Sequence, residues 1–366
     1  MIELFDLRSQ YFALREEITA AVLETLAAGK YILGPRVRQL EKNIASCCGT
    51  SFGIGVASGS DALYLSLSAC GVGAGDEVIT TPFTFFATAG AITRTGATPV
   101  FADIDGDTFN IDPEKIKHRI TGRTRAIVPV HVFGQITDMD AVIDLAGQNG
   151  LVVIEDACQA MGAEYKGRRA GSLGHAGCFS FFPTKNLGGY GDGGMVVTGN
   201  SSLAARIEVL RAHGSRSKFV HEAMGYNSRL DELQASVLLV KFKYLETLIE
   251  KRKALAAHYN QLLGDAVKIP RETEGNRHTY HLYVIRSPRR DAIKTYLQKN
   301  GIDCGIYYPI PLHLQPVYKH LGYKAGDFPE AERAAGEVLA IPAHPGLTFP
   351  EIERIARLVR EAVLDA

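Results

Sequence analysis

The sequence carries no excess charge of either sign and no long apolar run. Its 40 basic residues balance its 40 acidic ones, so no overall field would collect nucleic acid, and any anion must be bound locally. No uninterrupted apolar stretch approaches the ~20 residues that a membrane-spanning helix needs. The first eight residues carry charge too early for a secretory signal peptide. We therefore expect a cytoplasmic protein that binds neither nucleic acid nor membranes.

Cysteine pairs and metal-ligand motifs are also absent from the sequence. The cysteines form no CxxC pair, and the histidines show no spacing such as HExxH. Apolar surroundings favour buried thiols over disulfides or zinc ligands. We therefore expect no metal site. The six cysteines are Cys47, Cys48, Cys70, Cys158, Cys178 and Cys304.

Short apolar runs alternate with helical patterns through the first part of the chain. Apolar residues recur at helical spacing from Leu7 to Ala28, and Gly29 is placed to end that helix with a left-handed cap. Such alternation predicts an α/β fold with a largely parallel sheet. The predicted strands are 54–57, 77–80, 99–104, 126–132, 151–155, 178–182 and 195–198.

The pattern changes towards the C-terminus. Residues 228–263 contain neither Gly nor Pro and carry one apolar face, which predicts a long helix or two abutting ones. Beyond them we predict a strand at 278–286, a helix from Asp291, a strand near Ile306 and a helix after Pro350. At 366 residues the chain is long enough for two domains. We predict a large domain at 1–245 and a smaller α+β domain at 246–366.

One lysine, Lys185, lies between a strand-like segment and a glycine-rich turn. The segment reads Phe-Ser-Phe-Phe-Pro-Thr-Lys-Asn-Leu-Gly-Gly-Tyr-Gly-Asp-Gly-Gly from 179 to 194. An amine in a partly desolvated pocket has a lowered pKa and forms a Schiff base with a carbonyl compound. Since an arbitrary lysine after a turn is more often a solvated surface residue, the assignment depends on its neighbours.

Two strand ends offer groups that would complement such an amine. Asp156 ends the apolar run 151–155, where open α/β sheets bind ligands, and its carboxylate suits a protonated ring nitrogen; the alternative is a helix cap. At Ser58-Gly59-Ser60 a strand turns into a helix whose exposed N–H groups and hydroxyls suit phosphate. The alternative there is ordinary N-capping by Ser60.

An aromatic cluster and a polar pair complete the candidate site. The cluster at 82–86 follows another strand end, and one of its rings would cover a flat heterocycle, although such clusters usually pack in a core. Asn227 and Arg229 offer an amide and a guanidinium to phosphate groups, or else mark a helix start with solvated charge. An aldehyde-reactive amine, a carboxylate, a phosphate cup and a stacking ring are together what pyridoxal phosphate (PLP) requires.

The whole chain resembles the DegT/DnrJ/EryC1/StrS family of PLP-dependent nucleotide-sugar aminotransferases. The resemblance rests on an ordered set of motifs, Gly-Lys-Tyr-Ile-Leu-Gly-Pro at 29–35, Glu-Asp-Ala-Cys-Gln-Ala at 155–160 and Tyr-Pro-Ile-Pro-Leu at 308–312. It implies PLP fold type I, with a mostly parallel sheet in the large domain and a smaller α+β C-terminal domain. It also implies an obligate homodimer with active sites shared across the interface.

The resemblance assigns roles position by position. Lys185 looks like the lysine that binds pyridoxal 5'-phosphate covalently and shuttles the proton, and Asp156 like the carboxylate that keeps the ring nitrogen protonated. Gln159 would reach the phenolic oxygen of the ring, and Asn227 would be lent to the phosphate by the partner subunit. The other matches to cofactor contacts are Gly59, Ser60, Phe85 and Ser180, and the matches to sugar-nucleotide contacts are Gly29, Tyr31, Thr184, Arg229, Tyr307 and Tyr308.

The resemblance extends to the reaction. The sequence of residues 185–194 is similar to the corresponding segment of enzymes that aminate C3 of a nucleotide-linked 3-keto sugar. The resemblance implies a ping-pong mechanism in which the cofactor alternates between PLP and pyridoxamine phosphate (PMP), with L-glutamate as amino donor and 2-oxoglutarate as its product. Tyr307 stands where UDP-uronate enzymes tend to have histidine. A dTDP-3-keto-6-deoxyhexose is therefore at least as suitable a substrate as a UDP-2-acetamido-3-keto sugar. Cys158 stands where alanine is usual, and its side chain is small enough to have no effect on packing.

Three alternatives accompany this interpretation. Enzymes that aminate C4 of a 4-keto sugar more often carry a Thr-Gly-Glu-Gly-Gly segment, and dehydratases of the family have histidine in place of Lys185. A non-catalytic PLP-binding regulatory protein would show a DNA-binding basic face, but the chain has zero net charge and no helix-turn-helix pattern. The sequence therefore favours a 3-aminotransferase.

Overall fold

Helices and strands alternate along most of the chain. A computed structural model describes residues 1–217 and 219–364. Within these ranges the α-helices are α1 Leu7–Ala28, α2 Pro35–Cys48, α3 Gly59–Ala69, α4 Ala87–Arg94, α5 Pro113–Lys117, α6 Met139–Asn149, α7 Ser201–Arg211, α8 Glu232–Phe242, α9 Leu245–Leu263, α10 Arg290–Lys299, α11 Pro329–Glu337 and α12 Phe349–Leu364. The strands are β1 Phe52–Val56, β2 Glu77–Thr80, β3 Thr98–Phe101, β4 Thr124–Val128, β5 Val152–Asp156, β6 Glu164–Tyr165, β7 Arg168–Arg169, β8 Ala176–Ser180, β9 Gly194–Thr198, β10 Ser215–Ser217, β11 Val220–His221, β12 Asn276–Arg277, β13 Tyr283–Arg286 and β14 Val338–Ile341. Short 3₁₀ helices cover Val132–Gly134, Leu312–Leu314 and Pro316–Leu321. Of the helices in these ranges, none has both the length and the apolar character to cross a bilayer.

A seven-stranded sheet in the order β1-β9-β8-β5-β4-β2-β3 supports the first part of the chain. β9 runs antiparallel to both of its neighbours, whereas the other adjacent strands pair in parallel. Helices cover both faces. Val153 of β5 packs in the same core as residues of α2 and α8, and Ile154 packs in the core that includes α3 and α7. Burial on both faces explains the continuous apolar run at 151–154. The predicted α/β class with a mostly parallel sheet is confirmed.

The first helix has the predicted bounds, Leu7–Ala28. Asp6 caps its start by accepting hydrogen bonds from the backbone N–H groups of Arg8 at 3.0 Å and Ser9 at 2.9 Å. Gly29, with φ of 63°, ends the helix in the left-handed conformation. Apolar contacts with α8 hold α1 against the large sheet unit.

The strand predicted at 278–286 is wrong over its first half. Tyr280 has φ of 46°, which an extended strand cannot contain. The Thr279 N–H donates to the carbonyl of Gly134 at 2.9 Å instead of joining a strand partner. β13 therefore begins only at Tyr283.

The remaining C-terminal elements form a small α+β unit. Residues 228–263 resolve into two abutting helices, α8 and α9, which was one of the two predicted alternatives. β13 pairs antiparallel with β14, and α9, α10 and α12 share a core with this pair of strands. Instead of the strand predicted near Ile306, the described residues have an isolated bridge between Gly305 and Ala340. The division into domains at 245 and 246 stays a prediction.

Candidate active site

A cavity of about 460 Å³ opens at the carboxyl ends of the parallel strands. β5 brings Asp156 to it and β8 brings Ser180, while the turns from β1 into α3 and from β2 into α4 form neighbouring walls. Open α/β sheets bind ligands at this edge. The predicted site residues in its walls are Gly59, Ser60, Phe85, Asp156, Gln159, Ser180, Thr184, Lys185, Tyr307 and Tyr308.

Lys185 lies in a turn after β8, where its backbone N–H donates to the carbonyl of Phe182 at 2.9 Å. Its Nζ lies 3.4 Å from Nε2 of His281. Burial lowers the pKa of the Lys185 amine, although Cys158 and Asp156 nearby act in the opposite direction. Burial also lowers the pKa of His281 well below its usual value, so its imidazole is neutral. Lys185 is thus a partly desolvated amine in a cavity wall, not a solvated surface lysine.

Asp156 is buried at the end of β5, and its carboxylate is fixed by hydrogen bonds. The Thr88 hydroxyl donates to Oδ2 at 2.7 Å, and the Cys158 N–H donates to Oδ1 at 3.2 Å. The Thr84 hydroxyl lies 3.1 Å from that of Thr88 and extends this network. Residues 157–163 form turns, so Asp156 caps no helix there. The fixed carboxylate in the cavity wall suits a cationic N–H group of a ligand.

The start of α3 forms another wall of the cavity. Ser58 is the N-cap, because its Oγ accepts from the Asp61 N–H at 3.1 Å. The alternative of N-capping by Ser60 is therefore wrong, and Ser60 lines the cavity instead. A Cβ on Gly59 would lie 2.7 Å from Cβ of Ser180, so only glycine lets β8 pack this close. Positive potential at a helix N-terminus makes this wall suitable for phosphate.

Gln159, Tyr308 and Phe85 meet on the opposite part of the wall. Gln159 Oε1 accepts from the Phe133 N–H at 2.8 Å, and its Nε2 donates to the Tyr308 hydroxyl at 2.8 Å. Burial raises the pKa of Tyr308, so its hydroxyl stays protonated. The ring of Phe85 is 58% exposed and lies 6.3 Å from the Tyr308 ring between centroids. Within the aromatic cluster, Phe83 is the ring that packs in the core, whereas Phe85 is open to a flat ligand.

Four predicted site residues are absent from the walls of this cavity, namely Gly29, Tyr31, Asn227 and Arg229. They lie on two neighbouring segments, which are joined by a bridge between Ile32 and Asp231. Tyr31 and Asn227 are exposed, and Arg229 donates to the Asn227 side chain. The contacts of these four residues with cofactor and sugar stay predictions.

The sequence analysis missed Thr88 and His281. Thr88 reaches Asp156 across 68 residues of chain, and His281 reaches Lys185 across 96. Thr88 follows the aromatic cluster at a strand end, so the rule that placed Asp156 would also have indicated it. No spacing in the sequence links His281 to the lysine, because their contact depends on how the C-terminal unit packs.

The donor set of the cavity fits pyridoxal phosphate. Lys185 provides the amine, Asp156 a carboxylate for the ring nitrogen, Ser60 and the start of α3 a phosphate site, and Phe85 a stacking ring. In addition, Nδ1 of the buried His281 has no hydrogen-bond partner among the described residues. Buried polar atoms normally form hydrogen bonds, so a buried nitrogen without a partner in a cavity wall is typical of a ligand site.

Comparisons with known proteins agree with this geometry. Residues 13–360 match the model of the DegT/DnrJ/EryC1/StrS aminotransferase family. A pleiotropic regulatory protein of Geobacillus stearothermophilus is 50% identical over 98% of this chain and 99% of its own. A dTDP-3-amino-3,4,6-trideoxy-alpha-D-glucose transaminase of Streptomyces venezuelae is 43% identical over 98% of this chain and 96% of its own. A UDP-N-acetyl-3-dehydro-alpha-D-glucosamine 3-aminotransferase of Acidithiobacillus ferrooxidans is 44% identical over 99% and 98%.

Solved structures share the fold over nearly the whole chain. The crystal structure of S. venezuelae DesV in complex with a ketimine intermediate matches with a TM-score of 0.97 at 43% identity, covering 99% of this chain and 98% of that one. The PLP form of a sugar aminotransferase from Streptococcus pneumoniae matches with a TM-score of 0.91 at 27% identity, covering 96% of each. The predicted PLP fold type I is confirmed, and the cofactor is pyridoxal phosphate. On its family match, its relatives and its fold, the chain belongs to the DegT/DnrJ/EryC1/StrS aminotransferase family.

Proposed function

We propose that this enzyme transfers an amino group to C3 of a nucleotide-linked 3-keto sugar. The observation that carries the proposal is the cavity at Lys185, where a desolvated amine, the fixed carboxylate of Asp156 and the start of α3 meet. The ring position is supported by the two relatives of 43% and 44% identity, whose names specify 3-amination. The segment 185–194 also has the form typical of 3-aminating enzymes.

The residues of the cavity divide the work of the reaction. Bound pyridoxal phosphate supplies an aldehyde that joins amines and a ring that withdraws electrons from the substrate carbon. Asp156 would keep the ring nitrogen protonated by pairing with its N–H group, and Thr88 keeps the carboxylate in one orientation. Gly59 and Ser60, at the start of α3, would hold the phosphate. Lys185 accepts a proton at Nζ and returns it, because burial lowers the pKa of its amine.

The proposed substrate is a dTDP-3-keto-6-deoxyhexose or a UDP-2-acetamido-3-keto sugar, with L-glutamate as the amino donor. The donor delivers its nitrogen in a first half-reaction and leaves as 2-oxoglutarate before the sugar is aminated. Thr184, Tyr307 and Tyr308 are available to the sugar in the same wall. Because Tyr307 brings a phenol where a histidine would bring a cation, this position does not favour a uronate carboxylate.

We further propose a homodimer in which each subunit completes the site of its partner. Asn227 and Arg229 offer an amide and a guanidinium that the cavity of the same chain does not use, and Gly29 and Tyr31 also lie outside that cavity. Supplied by a second copy, these groups would bind the phosphates of the cofactor and the sugar nucleotide.

The Lys185→Ala variant tests the proposed chemistry. Removal of a positioned proton-transfer group costs about 10²–10⁴-fold in rate, so transfer from L-glutamate to a 3-keto sugar should fall by that amount while the cofactor still binds. Product formation is measured by chromatography, and NMR of the product locates the nitrogen. Lys299→Ala, which removes an exposed amine at the end of α10, is the matched control and should keep wild-type turnover. Wild-type turnover by Lys185→Ala, or nitrogen at C4, would contradict the proposal.

A regulatory role is the second candidate, because the relative of 50% identity is named a pleiotropic regulatory protein. The two functions differ in what L-glutamate does to the wild-type protein loaded with PLP. On addition of L-glutamate, a transaminase changes its visible absorption as fast as it turns over and releases 2-oxoglutarate. A protein that keeps its absorption and releases no keto acid would support the regulatory alternative.

A further inference from the structure

A second cavity, of about 580 Å³, meets the first at Lys185. The two cavities share Phe5, Thr184 and Lys185 in their walls. The second one lies between the start of α1, one face of α9 and the segment 344–346. Its volume is in the range of small-molecule sites. A ligand that occupies it would therefore have direct access to the reactive amine.

The unusual group in this wall is Arg252 of α9, which is 8% exposed. Its Nη1 donates to three backbone carbonyls at 3.4 to 3.5 Å, which is longer than a normal N–H···O hydrogen bond. Among the described residues it has no carboxylate partner, whereas the other buried arginines each form a salt bridge with one. Those other buried arginines are Arg211, Arg286 and Arg290.

The charges around Arg252 do not compensate it. Burial lowers its pKa to about 10, so the guanidinium is still protonated at neutral pH. Lys185 and Lys251 in the same wall are also basic. The carboxylate of Asp6 is there too, but it accepts the backbone N–H groups that begin α1. A buried charge without a counter-ion is strongly unfavourable, so an anionic ligand in this cavity would compensate the charge of Arg252.

We propose that this second cavity binds the amino donor and the keto acid derived from it, with Arg252 holding a carboxylate of each. The inference rests on the proposed transaminase function and names the donor subsite of that same site. A guanidinium binds a planar carboxylate through parallel hydrogen bonds. The apolar side chains of Leu14 and Leu248 in the wall suit the methylene groups of a five-carbon dicarboxylate. The cofactor phosphate has a separate site at the start of α3, which lines the first cavity and not the second.

The Leu248→Glu variant provides a test that leaves Arg252 in place. Both residues lie on α9, four positions apart, so the new carboxylate forms an internal ion pair with the guanidinium and competes with the ligand. Leu248→Gln has the same shape without the charge and is the matched control. Arg252→Lys is a second variant, which keeps a cation but loses the planar fork. Because Leu248→Gln introduces the same polar bulk without the charge, an effect seen only in Leu248→Glu is due to the carboxylate and not to misfolding.

Two measurements are made on each variant. Calorimetry of cofactor-free protein with 2-oxoglutarate measures the affinity for the keto acid directly. Stopped-flow absorbance measures the rate of the L-glutamate half-reaction. With pyridoxamine phosphate supplied, it also measures the rate of the keto-sugar half-reaction. We expect Leu248→Glu to weaken 2-oxoglutarate binding about tenfold or more and to slow only the L-glutamate half-reaction. Leu248→Gln should stay within about twofold of the wild type, and Arg252→Lys should lie between them.

The possible outcomes separate this inference from the function it rests on. Unchanged 2-oxoglutarate affinity in Leu248→Glu and Arg252→Lys overturns the donor subsite. A loss confined to the keto-sugar half-reaction also overturns it, because the carboxylate bound there would then belong to the sugar. A wild-type protein that aminates no keto sugar contradicts the proposed function, and the calorimetry still decides whether Arg252 binds a dicarboxylate.

Discussion

At the scale of single residues, one hydroxyl fixes the carboxylate on which the cofactor site depends. Thr88 donates to Asp156 at 2.7 Å, and both side chains are buried. Thr88→Val keeps the shape but removes one of the two hydrogen-bond donors to a buried carboxylate, which costs about 1–3 kcal/mol. We expect kcat to fall about tenfold and the cofactor to dissociate more readily. Steady-state kinetics and cofactor titration measure both. The control is Thr93→Val, which removes the hydroxyl of an exposed residue on the same helix. Identical kinetics of the two variants would show that the Thr88 hydroxyl does not fix Asp156 for catalysis.

Residues of the cavity were predictable from the sequence where a polar group directly follows a predicted strand. Asp156 and the Ser58 to Ser60 turn stand directly after apolar runs, so the strand-end rule placed them at the cavity that the structure contains. His281 and Arg252 carry no such mark. Their importance comes from tertiary burial beside Lys185 and from missing partners, and neither property is encoded in local spacing.

At the scale of elements, helix α8 supports the glycine-rich turn that follows Lys185. Lys241 of α8 is buried, its Nζ donates to the carbonyl of Gly188, and it lies 5.0 Å from the ring centroid of Tyr190. Burial lowers the pKa of Lys241 to about 8, against 10.5 for an ordinary lysine. Below about pH 8 both folded and unfolded chains hold the proton, but between about 8 and 10.5 only the unfolded chain does. This amine therefore makes the free energy of unfolding rise with pH in that window, by up to about 3 kcal/mol.

The Lys241→Met variant isolates this contribution. We expect the difference in free energy of unfolding between wild type and variant to shift in favour of the wild type from about pH 8 to about pH 10. Urea denaturation at several pH values measures it. Lys243→Met is the matched control, because the exposed Lys243 pairs with Glu17, which raises its pKa, and loses its proton only above this window. A pH-independent difference for Lys241→Met would contradict the argument.

The ends of a helix were predictable where the sequence has residue types that typically cap helices. Helix α1 begins after Asp6 and ends at Gly29, and both caps are residue types with a specific backbone role. The strand at 278–286 was mispredicted because alternation of side chains does not reveal a left-handed residue such as Tyr280. That turn carries His281 to Lys185, so the mispredicted element is also the one that delivers an unforeseen site residue.

At the scale of the whole molecule, the site residues fall into two groups that one chain does not bring together. Ten predicted residues line the cavity at Lys185, whereas Gly29, Tyr31, Asn227 and Arg229 lie outside it. The sequence predicted the membership of both groups through the family motifs. It could not reveal from spacing alone that they separate, because the separation depends on the tertiary positions of the α1–α2 and α7–α8 connections.

The proposed homodimer therefore predicts complementation between two defective chains. In a mixed dimer of Lys185→Ala and Asn227→Ala subunits, one site would combine the intact Lys185 of one chain with the intact Asn227 of the other. Each mixed dimer should then have about one half of wild-type activity, because one of its two sites works. Co-expression with two affinity tags, followed by kinetics of the doubly purified protein, measures this. Co-expressed Lys185→Ala and Asp156→Ala chains are the control: both residues belong to one cavity, so every site would stay defective. Equal recovery in the two mixtures, or none in the first, would mean that Asn227 does not serve the partner's cavity.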